Sequence, residues 1–283
     1  MILGVKMIRK NEDRFGPKNN GSDENVSPES LLQFVTPTEF VALPSKGVGY
    51  APNHPLHGQD TVEIKYMTAK DEDILTSRSL IKNGVVLDRL ISNLLVDKKI
   101  NSADILLGDR NAIVIAARAS AYGHIYETKI ECPNCGAKAK TDFDLTDPWI
   151  YSGDEWDDYD ITALETGNYV IKLPKTGYSV EVRLLKGTDE IKVFKLLQNK
   201  KKSDEVVTRQ MRMFIVSIEG HTDSKVIEYF INNAPSSETR YLRQAYDKIS
   251  PDLKIKKDYE CDECGHEANL EVGLGADFFW PDR

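Results

Sequence analysis

The sequence predicts an α+β fold in which a helical N-terminal region joins a split four-cysteine zinc ribbon, and the ribbon carries a small α+β insertion. Three observations predict it. The four cysteines of the chain form two CxxCG pairs, Cys132-Pro133-Asn134-Cys135-Gly136 and Cys261-Asp262-Glu263-Cys264-Gly265. Apolar residues between Thr68 and Ala121 recur at helical spacing, and the long stretch between the pairs holds both alternating and helix-period segments.

Residues 1–42 are expected to form a mobile N-terminal arm, because Lys10 to Glu29 is rich in Asn, Asp, Glu, Ser and Gly and almost free of apolar side chains. Residues 43–123 follow as a mostly helical domain that opens on the loop Leu43-Pro44-Ser45-Lys46-Gly47-Val48-Gly49-Tyr50. Thr61 to Met67 alternates and reads as a strand. Thr68, with Asp71 three residues on, starts a helix that Asn83-Gly84 ends. Val85 to Val96 is a second helix, with Val86, Leu87, Leu90, Ile91, Leu94 and Leu95 spaced for one buried face. Ser102 to Gly108 is a short helix closed by glycine. Asp109 then caps a helix through Ala121 that is apolar almost all round, with Gly123 just past its end.

Residues 124–150 and 255–283 make the two halves of the ribbon. Two residues between thiolates let one tight turn place both sulfurs on a single cation, and the glycine that follows tolerates the positive φ of such a knuckle. Thr141, Phe143 and Leu145 after the first pair, and Leu270, Val272 and Leu274 after the second, alternate in the same phase, as half-buried strands do. Each half is therefore a strand, knuckle and strand, with Cys132, Cys135, Cys261 and Cys264 as ligands of one structural Zn2+. A redox CxxC is the first competing reading, but that motif sits at a helix start after a strand, whereas strand-like residues follow both pairs here. Disulfides are the second; they require export, and Met1 to Lys10 lacks the apolar core of a signal peptide.

The insertion, residues 151–254, opens on the acidic stretch Asp154 to Asp160. Tyr169 to Leu173 and Tyr178 to Leu184 are strands joined by a Pro174-Lys175-Thr176-Gly177 turn. Helices are expected over about Thr188–Lys200, Ser203–Ile218, Ser224–Asn232 and Ser236–Ile249.

A net charge of -8 disfavours wrapping nucleic acid, whose affinity comes largely from Lys and Arg on phosphates. The longest apolar runs fall far short of the ~20 residues that span a bilayer. His54-Pro55-Leu56-His57 is a proline-punctuated loop without a carboxylate partner, Lys46-Gly47-Val48-Gly49 lacks P-loop spacing, and no nucleophile, base and orienting group can be assembled. The chain reads as a non-enzyme, and a closed set of four thiolates leaves no coordination position for a catalytic water. Three successive aromatics, Phe278, Phe279 and Trp280, stand near the C-terminus, where chain ends are usually polar. They dock either on the chain itself or on a partner, aromatic anchors being favoured at interfaces.

The Leu43 to Tyr50 loop, the segment Tyr66-Met67-Thr68-Ala69-Lys70-Asp71-Glu72-Asp73-Ile74-Leu75, and the split CxxCG pairs ending in Phe278-Phe279-Trp280-Pro281 together resemble the T-even-type bacteriophage baseplate hub proteins. The resemblance covers roughly residues 40–145 and 255–283. It implies a component of a contractile tail, structural or chaperone-like in assembly, that contacts other hub or baseplate proteins in the host cytoplasm and then in the virion. Lys46, Tyr50, Phe278, Phe279 and Trp280 are the expected partner contacts. The alternative is a zinc-ribbon nucleic-acid-binding regulator, but Asp262 and Glu263 in a knuckle and Glu260, Glu267 and Glu271 beside it repel phosphate, against Lys138, Lys140, Lys256 and Lys257.

Overall fold

Thr38–Ala42 (β1) and Thr61–Lys65 (β2) pair antiparallel in the computed structural model, which describes residues 37–198 and 206–280. Residues 1–36 of the expected arm lie outside the described residues. The rest of it is no arm: β1 is a strand, because Val41 turns into the core and β2 supplies its ladder. The residues from Pro37 onward form a single unit.

Between β1 and β2 the loop from Pro44 to Gly58 winds through tight turns. Lys46 (φ 50) and Gly47 (φ 75) are both left-handed, and a Cβ on Gly47 would stand 2.3 Å from the Gln59 backbone nitrogen. Only glycine fits there. The loop is pinned from below by a buried polar cluster: Asp109 accepts hydrogen bonds from the Ser45 backbone (3.0 Å), the Ser45 hydroxyl (2.7 Å) and the Tyr50 hydroxyl (2.7 Å).

Helices α1 (Ala69–Thr76) and α2 (Arg78–Asn83) replace the single helix expected from Thr68. The start is as expected, with Asp71 accepting from both the backbone and the hydroxyl of Thr68 in a capping box. The break comes at Ser77, whose ψ is 107°. Just before it the Thr76 hydroxyl donates to the Glu72 and Asp73 carbonyls, which shows how short hydroxyl side chains compete with the helix for its own backbone. Helix α3 (Val86–Leu94) buries Val86, Leu90, Ile91 and Leu94 as its periodicity requires. Ser102–Asp104 is one 3-10 turn, and α4 (Leu107–Tyr122) is capped at Leu106, three residues earlier than expected. Asp109 therefore sits in the first turn of α4, not at its cap, and reaches back to Ser45 and Tyr50.

Helix α4 is the central element. Ile113, Val114, Ile115 and Ala117 are buried, and each large aliphatic contributes ~1.5–3 kcal/mol by leaving water. Its two buried arginines tie it to its surroundings. Arg110 donates to the Ser102 carbonyl (2.7 Å) and pairs with Asp88 of α3 (3.2 Å) and with Glu190 (3.3 Å).

After α4 come two hairpins and the elements between them. The first hairpin is β3 (Ile125–Glu131) with β4 (Lys138–Asp144). Trp149–Tyr151 (β5) pairs with Asp252–Lys254 (β10), bringing together the two ends of the segment expected as an insertion. Within it, β6 (Ile161–Ala163), β7 (Tyr169–Lys172), β8 (Ser179–Val182) and β9 (Ile215–Ile218) form an antiparallel sheet in that order. The helices here are α5 (Gly187–Gln198), which packs on α4, α6 (Val206–Phe214), α7 (Ser224–Asn233), which packs on β9, and α8 (Ser236–Ile249), whose Tyr246 stacks on Phe214. The helix expected through Ile218 ends at Phe214, because Ile215, Ser217 and Ile218 join the sheet edge at β8 instead. Its expected start at Ser203 lies outside the described residues, as does the expected end of α5. The second hairpin is β11 (Lys256–Glu260) with β12 (Glu267–Glu271). One hydrophobic core runs through all the segments: Ile64, Leu90 and Ile113 belong to it together with Phe143, Ile171, Phe214, Leu242 and Phe279.

Candidate metal centre

Each hairpin turns on a CxxCG knuckle, and the two knuckles are alike atom for atom in their backbone bonding. In the first, the Cys132 N–H donates to the Ala137 carbonyl (2.8 Å) and the Gly136 N–H to the Cys132 carbonyl (2.9 Å). In the second, Cys261 N–H donates to the His266 carbonyl (3.0 Å) and Gly265 N–H to the Cys261 carbonyl (2.8 Å). Gly136 and Gly265 have φ of 74° and 64°, the left-handed turn that lets the second sulfur of each pair face the first.

The knuckles face each other. Cys132 Sγ lies 3.8 Å from Cys264 Sγ, and Cys135 Sγ lies 3.7 Å from Cys261 Sγ. All four sulfurs lie within 4.8 Å of one another. A tetrahedral ion with ~2.3 Å bonds to sulfur sets its ligands ~3.8 Å apart. The spacing fits one metal ion held by four thiolates, and no two sulfurs are bonded to each other. Cys132 and Cys261 are buried, whereas Cys135 and Cys264 face outward.

The groups around the cluster treat its sulfurs unequally. Asn134 Nδ2 donates to Cys264 Sγ at 3.6 Å. The Cys261 thiol is pulled down to about 6, first by the Glu263 backbone N–H and then by the Tyr259 hydroxyl. Cys135 is pushed up to about 12: the Ala137 backbone lowers it, but the neighbouring sulfurs, Cys264 foremost, outweigh that pull. Four sulfurs this close cannot all hold charge unless a cation sits among them.

Two further contacts brace the hairpins. Lys257 Nζ of β11 donates to both the carbonyl and the carboxylate of Asp142 in β4, each at 2.9 Å. Lys256 Nζ stands 3.8 Å over the Trp149 ring. Phe143, Leu145 and Val272 turn inward as their alternation requires, with Thr141, Leu270 and Leu274 half-buried in the same phase.

The residues expected to meet a partner divide. Tyr50 (1% exposed), Phe278 (1%) and Phe279 (2%) are buried in the chain's own core, so as surface contacts they are corrected. Tyr50 donates to Asp109 and accepts from the Leu106 N–H (3.0 Å). The C-terminal aromatics dock on the chain itself: Phe278 packs on Tyr126 of β3 (4.8 Å between ring centroids), and Phe279 packs edge-on against Phe278. Lys46 is exposed and Trp280 half-buried; Pro281 lies outside the described residues. Sequence reasoning missed Asn134, Tyr259, Asp109 and Arg118. A charged residue within the apolar stretch Ala112 to Ala121 was the available signal for Arg118, since such a charge must find buried acceptors.

No helix among the described residues is long and apolar enough to cross a membrane. Comparison with curated proteins returned no match, and neither did comparison with solved structures. A family model described as T4 bacteriophage base plate protein matches residues 38–280, from the first strand to the aromatic end. The chain therefore belongs to the T4 bacteriophage base plate protein family.

Proposed function

We propose that this baseplate protein is a non-enzymatic structural or assembly component of the tail baseplate hub. On this reading it works through contacts with other hub or baseplate proteins, and a structural Zn2+ on Cys132, Cys135, Cys261 and Cys264 holds it in shape. One observation carries the proposal: four sulfurs from segments more than a hundred residues apart stand at the spacing of a tetrahedral site. Bound there, zinc would cross-link two hairpins into a ribbon and close the insertion between them. The set is complete with four thiolates, so the metal's part is cohesion, worth ~10–16 kcal/mol coupled to folding in comparable sites.

Assembly through protein contacts is supported by the surface of the hairpins. Glutamates 127, 131, 260, 267 and 271 are exposed and interleave with the lysines, which suits protein neighbours better than a phosphate backbone. Lys46 and the outer part of Trp280 are the proposed contact points among the residues first singled out.

The test is a phage carrying Cys132→Ser or Cys261→Ser. Baseplates should fail to assemble, with hub intermediates accumulating, and mass spectrometry of intermediates and finished particles should show where the wild-type chain is retained. Normal baseplates from both variants would refute the proposal.

A further inference from the structure

A groove of about 500 Å³ runs along β1, away from the cysteine cluster. Val41 and Ala42 of β1, Pro148 and Ile150, and Ala116 and Ala119 of α4 are among the residues that line it. Small side chains on this face of α4 leave the space open, and Tyr66 and Ile150 on the rim are exposed.

Two features define what fits. The first is the backbone of β1, which among the described residues pairs only with β2. Tyr66 N–H donates to the Pro37 carbonyl and Leu43 N–H to the Asp60 carbonyl, so residues 37, 39, 41 and 43 are the ones bonded to β2. The N–H and C=O groups of Thr38, Phe40 and Ala42 therefore point out from the opposite edge. Such an edge is a template for one more strand. The second is Glu39, which lines the groove and whose Oε1 is buried with no hydrogen-bond partner among the described residues. A buried carboxylate oxygen without a donor is costly, and a cation supplied from outside would relieve it.

We propose that the groove receives an extended segment of another baseplate protein, which adds to β1 as a strand and sets a Lys or Arg on Glu39. This rests on the reading that the chain acts through protein contacts. The five residues of β1 span ~17 Å at ~3.4 Å each, so about five residues of the partner engage. A basic segment also suits a chain of net charge -8.

The experiment presents the full-length protein with each purified baseplate protein of the same phage and follows binding and amide hydrogen exchange. One of them should bind, with protection of the Phe40 and Ala42 amides. Ala42→Pro removes an outward N–H, leaves the bonds to β2 intact and should abolish binding; Glu39→Gln keeps the shape and should weaken it at least tenfold. Melting curves confirm that both variants are folded, and if Ala42→Pro is not, Glu39→Gln with the exchange data decides. Binding without β1 protection and indifferent to Glu39→Gln overturns the groove proposal and leaves the assembly role standing. Binding to none of the proteins overturns both.

Discussion

Arg118 Nε donates a hydrogen bond of 3.3 Å to the carbonyl oxygen of Phe278, joining the central helix to the end of the chain across 160 positions. The same guanidinium lies 4.9 Å from the Tyr122 ring and 5.7 Å from that of Tyr126, against which Phe278 packs. The aromatic end is thus a plug that covers the first cysteine hairpin from one side. Phe278→Ala should cost ~3–5 kcal/mol of stability by leaving a cavity under Tyr126. Denaturant unfolding measures this; a change under ~1 kcal/mol would mean that the end is not docked in solution.

Tyr50→Phe keeps the ring and deletes one oxygen. That oxygen serves the Leu106 N–H and donates to Asp109, so its loss leaves a buried N–H without its partner at the start of α4. The expected cost is ~1–3 kcal/mol. Hydrogen exchange should also show the Leu106 amide opening more often, an effect absent if the loop only rests on the helix.

Arg183 grips Asp189 with two hydrogen bonds, of 2.7 and 2.8 Å, where the carboxylate is buried. Burial alone would raise the Asp189 pKa, but the Arg183 hydrogen bonds and other donors outweigh it and hold the group below its usual range. A depressed carboxylate contributes stability that is present above its unfolded pKa and is lost as pH falls through its folded one. Arg183→Met should therefore cost ~1–3 kcal/mol at neutral pH, because it takes two charge-assisted hydrogen bonds from a buried carboxylate that keeps, among the described residues, only Lys192 Nζ (3.2 Å) and the Lys186 N–H (3.1 Å). The gap between wild type and variant should narrow as pH falls below the ordinary carboxylate range. Unfolding series at descending pH would show this, and a gap independent of pH would contradict it.

Much of this architecture was legible because its signals are local. Cys132, Cys135, Cys261 and Cys264 carry ligand spacing, the phase of Phe143 and Val272 is visible within a few residues, and Thr68 with Asp71 marks a helix start. The misses depend on distant partners. Ile215 to Ile218 continues an apolar helical pattern and becomes a strand only because β8 offers an edge. Phe278 and Phe279 look like interface anchors until Tyr126 and Arg118 are seen to receive them. Asp109 reads as a helix cap, and only the return of Ser45 and Tyr50 to the start of α4 gives its carboxylate another task.

Loss of metal should act at the hairpins first. On the proposed zinc site, a chelator under reducing conditions should let the amides of Cys132, Gly136, Cys261 and Gly265 exchange freely, because their knuckle bonds would lose the ion that orients them. The distant Thr68 cap in α1 should be the last to respond. Uniform exchange behaviour with and without chelator would argue against a metal-held ribbon.

The most direct measurement is the zinc content of the folded protein purified under reducing conditions, read by elemental analysis beside a thiol count. The account predicts one zinc per chain, four thiols that become reactive only on chelation, and a lower melting temperature once the metal is gone. A metal-free chain with four freely reactive thiols and an unchanged melting temperature would contradict it.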